Sequence, residues 1–220
     1  GTLNISTNLS FNKRLIHPTN PTEDTLTGGR KIVIDDAQLF LSSFHFESEG
    51  GQLVSPEQNY VLFKKFAVNH ALGKIAVGKY YKLSFVSSLL DNYNDLPSSA
   101  NAYLQDNSMW YDPINNTKKY IHIKITGSVD TTLSKNGLGM VPFNISLGAG
   151  AISTKLLFDN YYTEIVKDEN AFIIINANFG TLFDNINMLD PANRMITTPG
   201  MAISRGQQFL LNIPNMFSIL

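Results

Sequence analysis

One uninterrupted stretch constrains this chain more than any other: Ile32-Val33-Ile34-Asp35-Asp36-Ala37-Gln38-Leu39-Phe40-Leu41-Ser42-Ser43-Phe44, continued by His45 and Phe46. It is rich in β-branched and aromatic residues. It runs between a Gly28-Gly29 turn and a Gly50-Gly51 turn, the punctuation that bounds strands. Such a segment predicts one long amphipathic strand. An all-β domain follows.

Further strand signals recur along the chain. Leu3 to Leu9 alternates apolar and polar residues with period two, the mark of a half-buried strand. Asn59 to Phe66, Gly78 to Val86, Pro142 to Leu147, Ile152 to Phe158 and Ala171 to Ala177 are further strands. Ile173-Ile174-Ile175 is a continuous apolar run, as expected of a strand covered on both faces. Lys119 to Ile125 places Ile121, Ile123 and Ile125 on one face and Tyr120, His122 and Lys124 on the other. Helical spacing of apolar residues is confined to Asn178–Leu189 and Gly206–Asn212. Leu89 to Pro113 is rich in Asn, Asp, Ser and Pro without a period, and is expected as one long irregular loop of a functional or mobile kind. No repeat or linker divides the chain. Residues 1–220 are read as a single antiparallel β-sandwich of immunoglobulin-like, Greek-key type with few short helices.

A chain of 220 residues buries enough surface to fold without a staple. It has no cysteine, which excludes thiolate metal sites, thiol catalysis and disulfides. The net charge of −1 supplies no field for nucleic acid. No apolar run reaches the roughly 20 residues of a membrane helix. The start at Gly1-Thr2 suggests removal of a signal or lipoprotein segment, with a lipid anchor as one form of it.

Candidate chemistry is sparse. His17, His45, His70 and His122 form no H-x-H, H-x3-H or H-E-x-x-H pair, strand parity argues against a shared metal for His45 and His122, and the histidines read as exposed or half-exposed surface residues. Asp91-Asn92-Tyr93-Asn94-Asp95 lacks the glycine and distal glutamate of a calcium loop and reads as a solvated turn; Asp106, Asn107 and Asp112 are the residues the fold would have to add to it. The adjacent acids Asp35-Asp36 point to opposite faces of a regular strand and cannot act as a pair. Ser42-Ser43, Ser87-Ser88 and Ser98-Ser99 lack a nucleophile elbow. Gly148-Ala149-Gly150 precedes a strand rather than a phosphate-holding helix. The chain therefore reads as a non-enzyme. Met109-Trp110-Tyr111, with the only tryptophan, is the candidate ligand-binding cluster beside the long loop.

The order of these motifs resembles one family. The Ile32–Phe44 strand is followed by Tyr60-Val61-Leu62 and then by Gly78-Lys79-Tyr80-Tyr81-Lys82-Leu83-Ser84-Phe85. Next come Ser108-Met109-Trp110-Tyr111 and Tyr120-Ile121-His122-Ile123-Lys124-Ile125-Thr126-Gly127, and the chain closes with Asn212-Ile213-Pro214-Asn215-Met216-Phe217. The series resembles the MbnP-like family of periplasmic copper-associated proteins. That resemblance implies an exported β-sandwich of the periplasm or cell surface, and in copper-binding members histidines and a modified tryptophan at the metal. Here Ser6 and Thr7 stand where family members tend to carry a first-strand histidine, and Ser146 stands where they carry another. In the family the tyrosine precedes the tryptophan, whereas Trp110 precedes Tyr111. Serine is a poor copper ligand beside imidazole. The expectation is a cell-envelope binding protein with no cofactor, copper being implied by the resemblance alone. The alternative is a surface module that binds a glycan or a protein. The partner is an unidentified ligand or envelope protein.

Overall fold

The computed structural model describes residues 1–65, 69–112, 117–148 and 153–220. Phe66, Pro113, Ala149, Gly150 and Ile152, which the sequence reading placed in strands or loops, lie outside the described residues. The fold is all-β, as expected, with short helical turns.

The long strand spans Arg30–Ser48 and is the spine of the larger sheet. At its beginning it pairs with Thr22–Leu26 on one edge and with Thr117–Asp130 on the other. Further along it takes Tyr60–Lys64, then Gly78–Val86 and Leu53–Val54. A chain this extended exchanges neighbours because no single partner strand matches its length.

Two irregularities keep its apolar side on the core. Ile32 and Ile34 are buried in the main core, and so are Ala37, Leu39 and Leu41, then Phe44 and Phe46. Strict alternation would turn Phe44 and Phe46 away from Leu39 and Leu41. The register with Thr117–Asp130 slips where Thr126 faces Asp36 and Gly127 faces Ile34. It slips again between Ser42 and His45 against Gly78–Val86. Each slip is a bulge that adds one residue and restores the facing. Ser43 reaches φ 55° at the second. Asn59 holds it there: its carbonyl accepts from the Ser43 N–H at 2.8 Å and its side-chain oxygen from the Phe44 N–H at 2.6 Å.

The smaller sheet is built on Thr2–Phe11, flanked by Asn170–Asn178 and Asn69–Lys74. Leu3, Ile5, Leu9 and Phe11 point into the same core as the spine. Phe85 stacks on Phe158 and meets Phe44 and, edge-on, Phe217 of the smaller sheet, so aromatic contacts join the two sheets. The expected purely antiparallel layering is corrected here. Thr2–Phe11 runs parallel to Asn170–Asn178, with Thr2 opposite Asn170 and Ser10 opposite Asn178, and Met140–Gly148 runs parallel to Met195–Ile196. The long connection between the first pair permits a crossover, which hairpins do not. The expectation that Ile173-Ile174-Ile175 is covered on both faces is also corrected. Ile173 and Ile175 are buried, whereas Ile174 and the nearby Phe172 are exposed on the outer face.

Thr7 is the polar exception in the inward row of the first strand. It is 1% exposed and its hydroxyl has no hydrogen-bond partner. A buried hydroxyl without a partner carries a desolvation penalty that an isosteric methyl removes. Thr7→Val is expected to raise the unfolding free energy by about 1 kcal/mol. Chemical denaturation checks this; lower stability in the variant would mean that the hydroxyl is satisfied.

The helical spacing expected in Asn178–Leu189 and Gly206–Asn212 yields single turns at Phe179–Leu182 and Gln207–Leu210. The first is capped by Asn178, whose side chain accepts from the Gly180 N–H at 3.0 Å. A third helix, Pro199–Arg205, begins with Thr198 as cap and Pro199 in its first turn. Phe209, Ile213 and Met216 close one end of the main core.

Candidate functional site

The segment after Leu89 is not one irregular loop. Asp91–Asn94 forms a helical turn, and Ser98–Ala100, Ala102–Gln105 and Asn107–Met109 form 3-10 turns. Asn101 and Asp106 cap the last two by accepting from the Tyr103 and Ser108 N–H groups, at 2.8 and 2.9 Å. The segment lies over the outer face of the spine and makes a second core there. Phe40, Tyr60, Leu62, Leu89, Leu104, Met109, Tyr120 and Ile121 are its buried members. Polar contacts fasten the cap at its edges. Lys64 pairs with Asp106, Tyr103 meets His70 Nδ1 at 3.1 Å, and the Tyr120 hydroxyl donates to the Leu96 carbonyl at 3.2 Å.

This second core overturns two parity expectations. Ile121 packs with Tyr120 in the second core, while Ile123 and Ile125 face the main one. A bulge between Ile121 and Ile123, opposite Gly148 and Leu147, separates them. His122, expected at the surface, is 1% exposed. Its Nε2 lies 3.4 Å from the Asn94 side-chain oxygen, because the cap covers this end of the strand.

Beside the cap, Trp110–Asp112 adds a short strand against Thr117–Asp130, with Trp110 opposite Tyr120. An open cleft of about 390 Å³ lies here, bounded by Asn107, Ser108, Trp110, Tyr111, Ile121 and Lys124 on one side. Asn144, Ser146 and Thr197 complete it. Of the three residues singled out from the sequence, Trp110 and Tyr111 line the cleft, whereas Met109 is fully buried in the second core.

Both aromatic polar groups are turned inward. Trp110 Nε1 donates to the Leu104 carbonyl at 3.1 Å, and the Tyr111 hydroxyl donates to the Ser146 carbonyl at 2.8 Å. Burial pushes the Tyr111 phenol well above its ordinary pKa, so it acts as a donor and not as a phenolate. With these handles committed, the two residues offer the cleft apolar wall. The cleft thus combines apolar wall with amide and hydroxyl groups, the composition of a small-molecule site.

The charges nearby are unequal. Burial would raise the Asp106 carboxyl, but hydrogen bonds from Lys64 and Ser108 outweigh it and hold its pKa below the usual range. Asp106 is therefore ionised and compensated by Lys64. Lys124 donates to the Ser108 carbonyl at 2.8 Å and, among the described residues, forms no ion pair with a carboxylate. Asp36 is bound instead by the Gln38 amide at 2.7 Å, and that same amide group contacts the Ser108 hydroxyl.

The histidines do not converge. His17 Nδ1 accepts from the Thr19 and Asn20 N–H groups, and His45 Nδ1 lies 2.8 Å from the Ser55 hydroxyl. His70 is bound to the cap through Tyr103. Burial lowers the pKa of His45, helped by Lys155, and of His70, so both are neutral at neutral pH. Among the described residues no three His, Cys, Asp or Glu side chains gather as a metal-binding group.

Sequence reading missed Lys124, Asn107, Asn144 and Thr197 as cleft residues. Lys124 was misleading by alternation, because the bulge between Ile121 and Ile123 sets it beside Ile121 in the cleft and not beside Tyr120 and His122. Thr197 carried none, because only the parallel pairing of Met195–Ile196 with Asn144–Ile145 brings it near.

No family model matches the chain, and no curated protein matches it in sequence. A search of solved structures finds MbnP from Methylosinus trichosporium, which aligns over 100% of this chain and 98% of its own. The TM-score is 0.55 and the identity 12%. The two chains share an architecture, in line with the resemblance read from the ordered motifs. Among the described residues, no helix is long and apolar enough to cross a membrane.

Proposed function

We propose that this chain is an exported, non-enzymatic binding protein of the bacterial periplasm or cell surface, and that the cleft at Trp110 and Tyr111 receives a small polyhydroxylated ligand, a sugar unit of a glycan. The observation that carries this reading is the make-up of the cleft: Trp110, Tyr111 and Ile121 as wall, and Asn107, Ser108, Asn144, Ser146 and Thr197 as hydrogen-bonding groups. Export is what the MbnP-like resemblance of the ordered motifs implies; the shared architecture with MbnP supports the fold.

A copper role fits this cleft poorly. Its described lining carries no imidazole, thiolate or carboxylate, and Lys124 places a positive charge against an incoming cation. The sulfur of Met109, the nearest soft donor in sequence, belongs to the buried second core.

Trp110 is the sole tryptophan, so its emission reports on this cleft alone. Titration with a panel of monosaccharides is expected to change that emission, with dissociation constants of about 1 mM, the range of weak single-site recognition. Trp110→Ala is expected to weaken the same sugars about ten-fold in ligand-observed NMR. A panel that gives no response in either assay overturns the reading. Dialysis against micromolar Cu(I) or Cu(II) followed by elemental analysis tests the metal alternative, and stoichiometric copper would reinstate it.

A further inference from the structure

We propose that the cleft selects an acidic sugar, one whose ring carries a carboxylate, and that Lys124 is the group that recognises the charge. The inference rests on the sugar-binding reading above and narrows it. It follows from which groups of the lining are already committed and from the one charge among those that are not.

Several lining groups are already committed. The hydroxyl of Ser108 exchanges hydrogen bonds with the Gln38 amide at 3.1 and 3.2 Å, and its carbonyl accepts from Lys124. The Ser146 hydroxyl donates to the Asn144 side-chain oxygen at 2.9 Å, which leaves the Asn144 amide N–H groups as its unspent donors among the described residues. The two aromatic donors face the protein. Lys124 uses one of its three ammonium protons on Ser108, which leaves two. The groups left facing the cleft are donors and acceptors together, the amides of Asn107 and Asn144 and the hydroxyl oxygens of Thr197 and Ser146, and Lys124 supplies the one charge in the described lining.

The charge balance agrees. Asp106, the acid beside Asn107, is neutralised by Lys64. Lys124 has no carboxylate partner among the described residues, and the described lining holds no acid. A half-buried ammonium without an acid prefers an anion, and a carboxylate accepts two such hydrogen bonds while the sugar ring meets the apolar wall. A neutral sugar would fill the same space but leave the ammonium without its partner.

D-glucuronate and D-glucose differ at one carbon and separate these cases. Fluorescence titration of the intact protein is expected to show glucuronate binding about ten-fold more tightly than glucose, with the preference shrinking as salt rises. Lys124→Gln is expected to remove the preference, so that glucuronate and glucose bind alike, whereas Lys124→Arg retains it. Equal affinity for the two sugars in the wild type, or an undiminished preference in Lys124→Gln, overturns the proposal while sugar binding itself stands. Acetate competing as effectively as glucuronate would reduce the cleft to a simple anion site and also overturns it. Failure of both sugars to bind removes the underlying reading as well. Circular dichroism of both variants confirms that each is folded.

Discussion

Phe40→Ala lowers the unfolding free energy by about 3–5 kcal/mol, the cost of emptying a large aromatic site in a packed interior. Phe40 is fully buried and is the only residue the spine strand gives to the second core. Its ring meets Tyr120 edge-on at 6.2 Å, and the second core also holds Leu104 and Met109 of the cap. The loss is thus concentrated beneath the cap. Leu104 carries the carbonyl that fixes Trp110, so the damage reaches the cleft although Phe40 does not line it. Urea unfolding reads the stability. A red shift of Trp110 emission in the folded variant, with weaker sugar binding, reads the loosened cap. A loss under about 1 kcal/mol with unchanged emission would show that the cap holds by its polar edge contacts instead.

Gly127→Val is expected to cost about 3 kcal/mol through overpacking at the first spine bulge. A Cβ at Gly127 would run into the Val33 carbonyl oxygen and the Phe143 ring. The obstacle is backbone in the middle of the sheet, where neither strand can withdraw without breaking the pairing of Thr126 with Asp36. Gly50→Ala is the matched control, since a Cβ there meets nothing closer than the Ser48 hydroxyl at 4.0 Å. Thermal and urea denaturation of both variants check this. Equal stabilities for the two would mean that the spine is not pinned at this crossing.

These two positions also show what the sequence discloses and what it withholds. Alternation locates Thr2–Phe11 and Met140–Gly148 to within about two residues, because each holds one facing along its length, and it locates Gly78–Val86 although a slip between Tyr80 and Lys82 brings both Tyr80 and Leu83 into the main core. The spine does not. Its bulges sit at Asp35-Asp36 and Ser42-Ser43, without a glycine to mark either one. The second depends on Asn59, sixteen residues beyond Ser43, which satisfies the displaced N–H groups. A period of two cannot register an extra residue whose support lies on another strand. His122 and Ile121 were misplaced for the same reason: one bulge and a cap with no period of its own decide their surroundings.

The cleft was half legible. Trp110 and Tyr111 stood out as an aromatic cluster beside a long polar segment, and both line it. Ser146 stood out through the family comparison and lines it as well. Lys124, Asn144 and Thr197 come from three separated segments, and their convergence is a property of the sheet. The uncompensated charge of Lys124 is further removed from sequence, because it depends on Asp106 having already taken Lys64 as its partner.

The parallel pairing of Thr2–Phe11 with Asn170–Asn178 has a consequence for biogenesis. As the polypeptide leaves the ribosome, the opening segment emerges long before its main hydrogen-bonding neighbour has been translated. Its apolar row, Leu3, Ile5, Leu9 and Phe11, has to be kept from other chains throughout that interval. Closure of the smaller sheet needs a contact between the two ends of the chain, the kind of non-local pairing that slows folding.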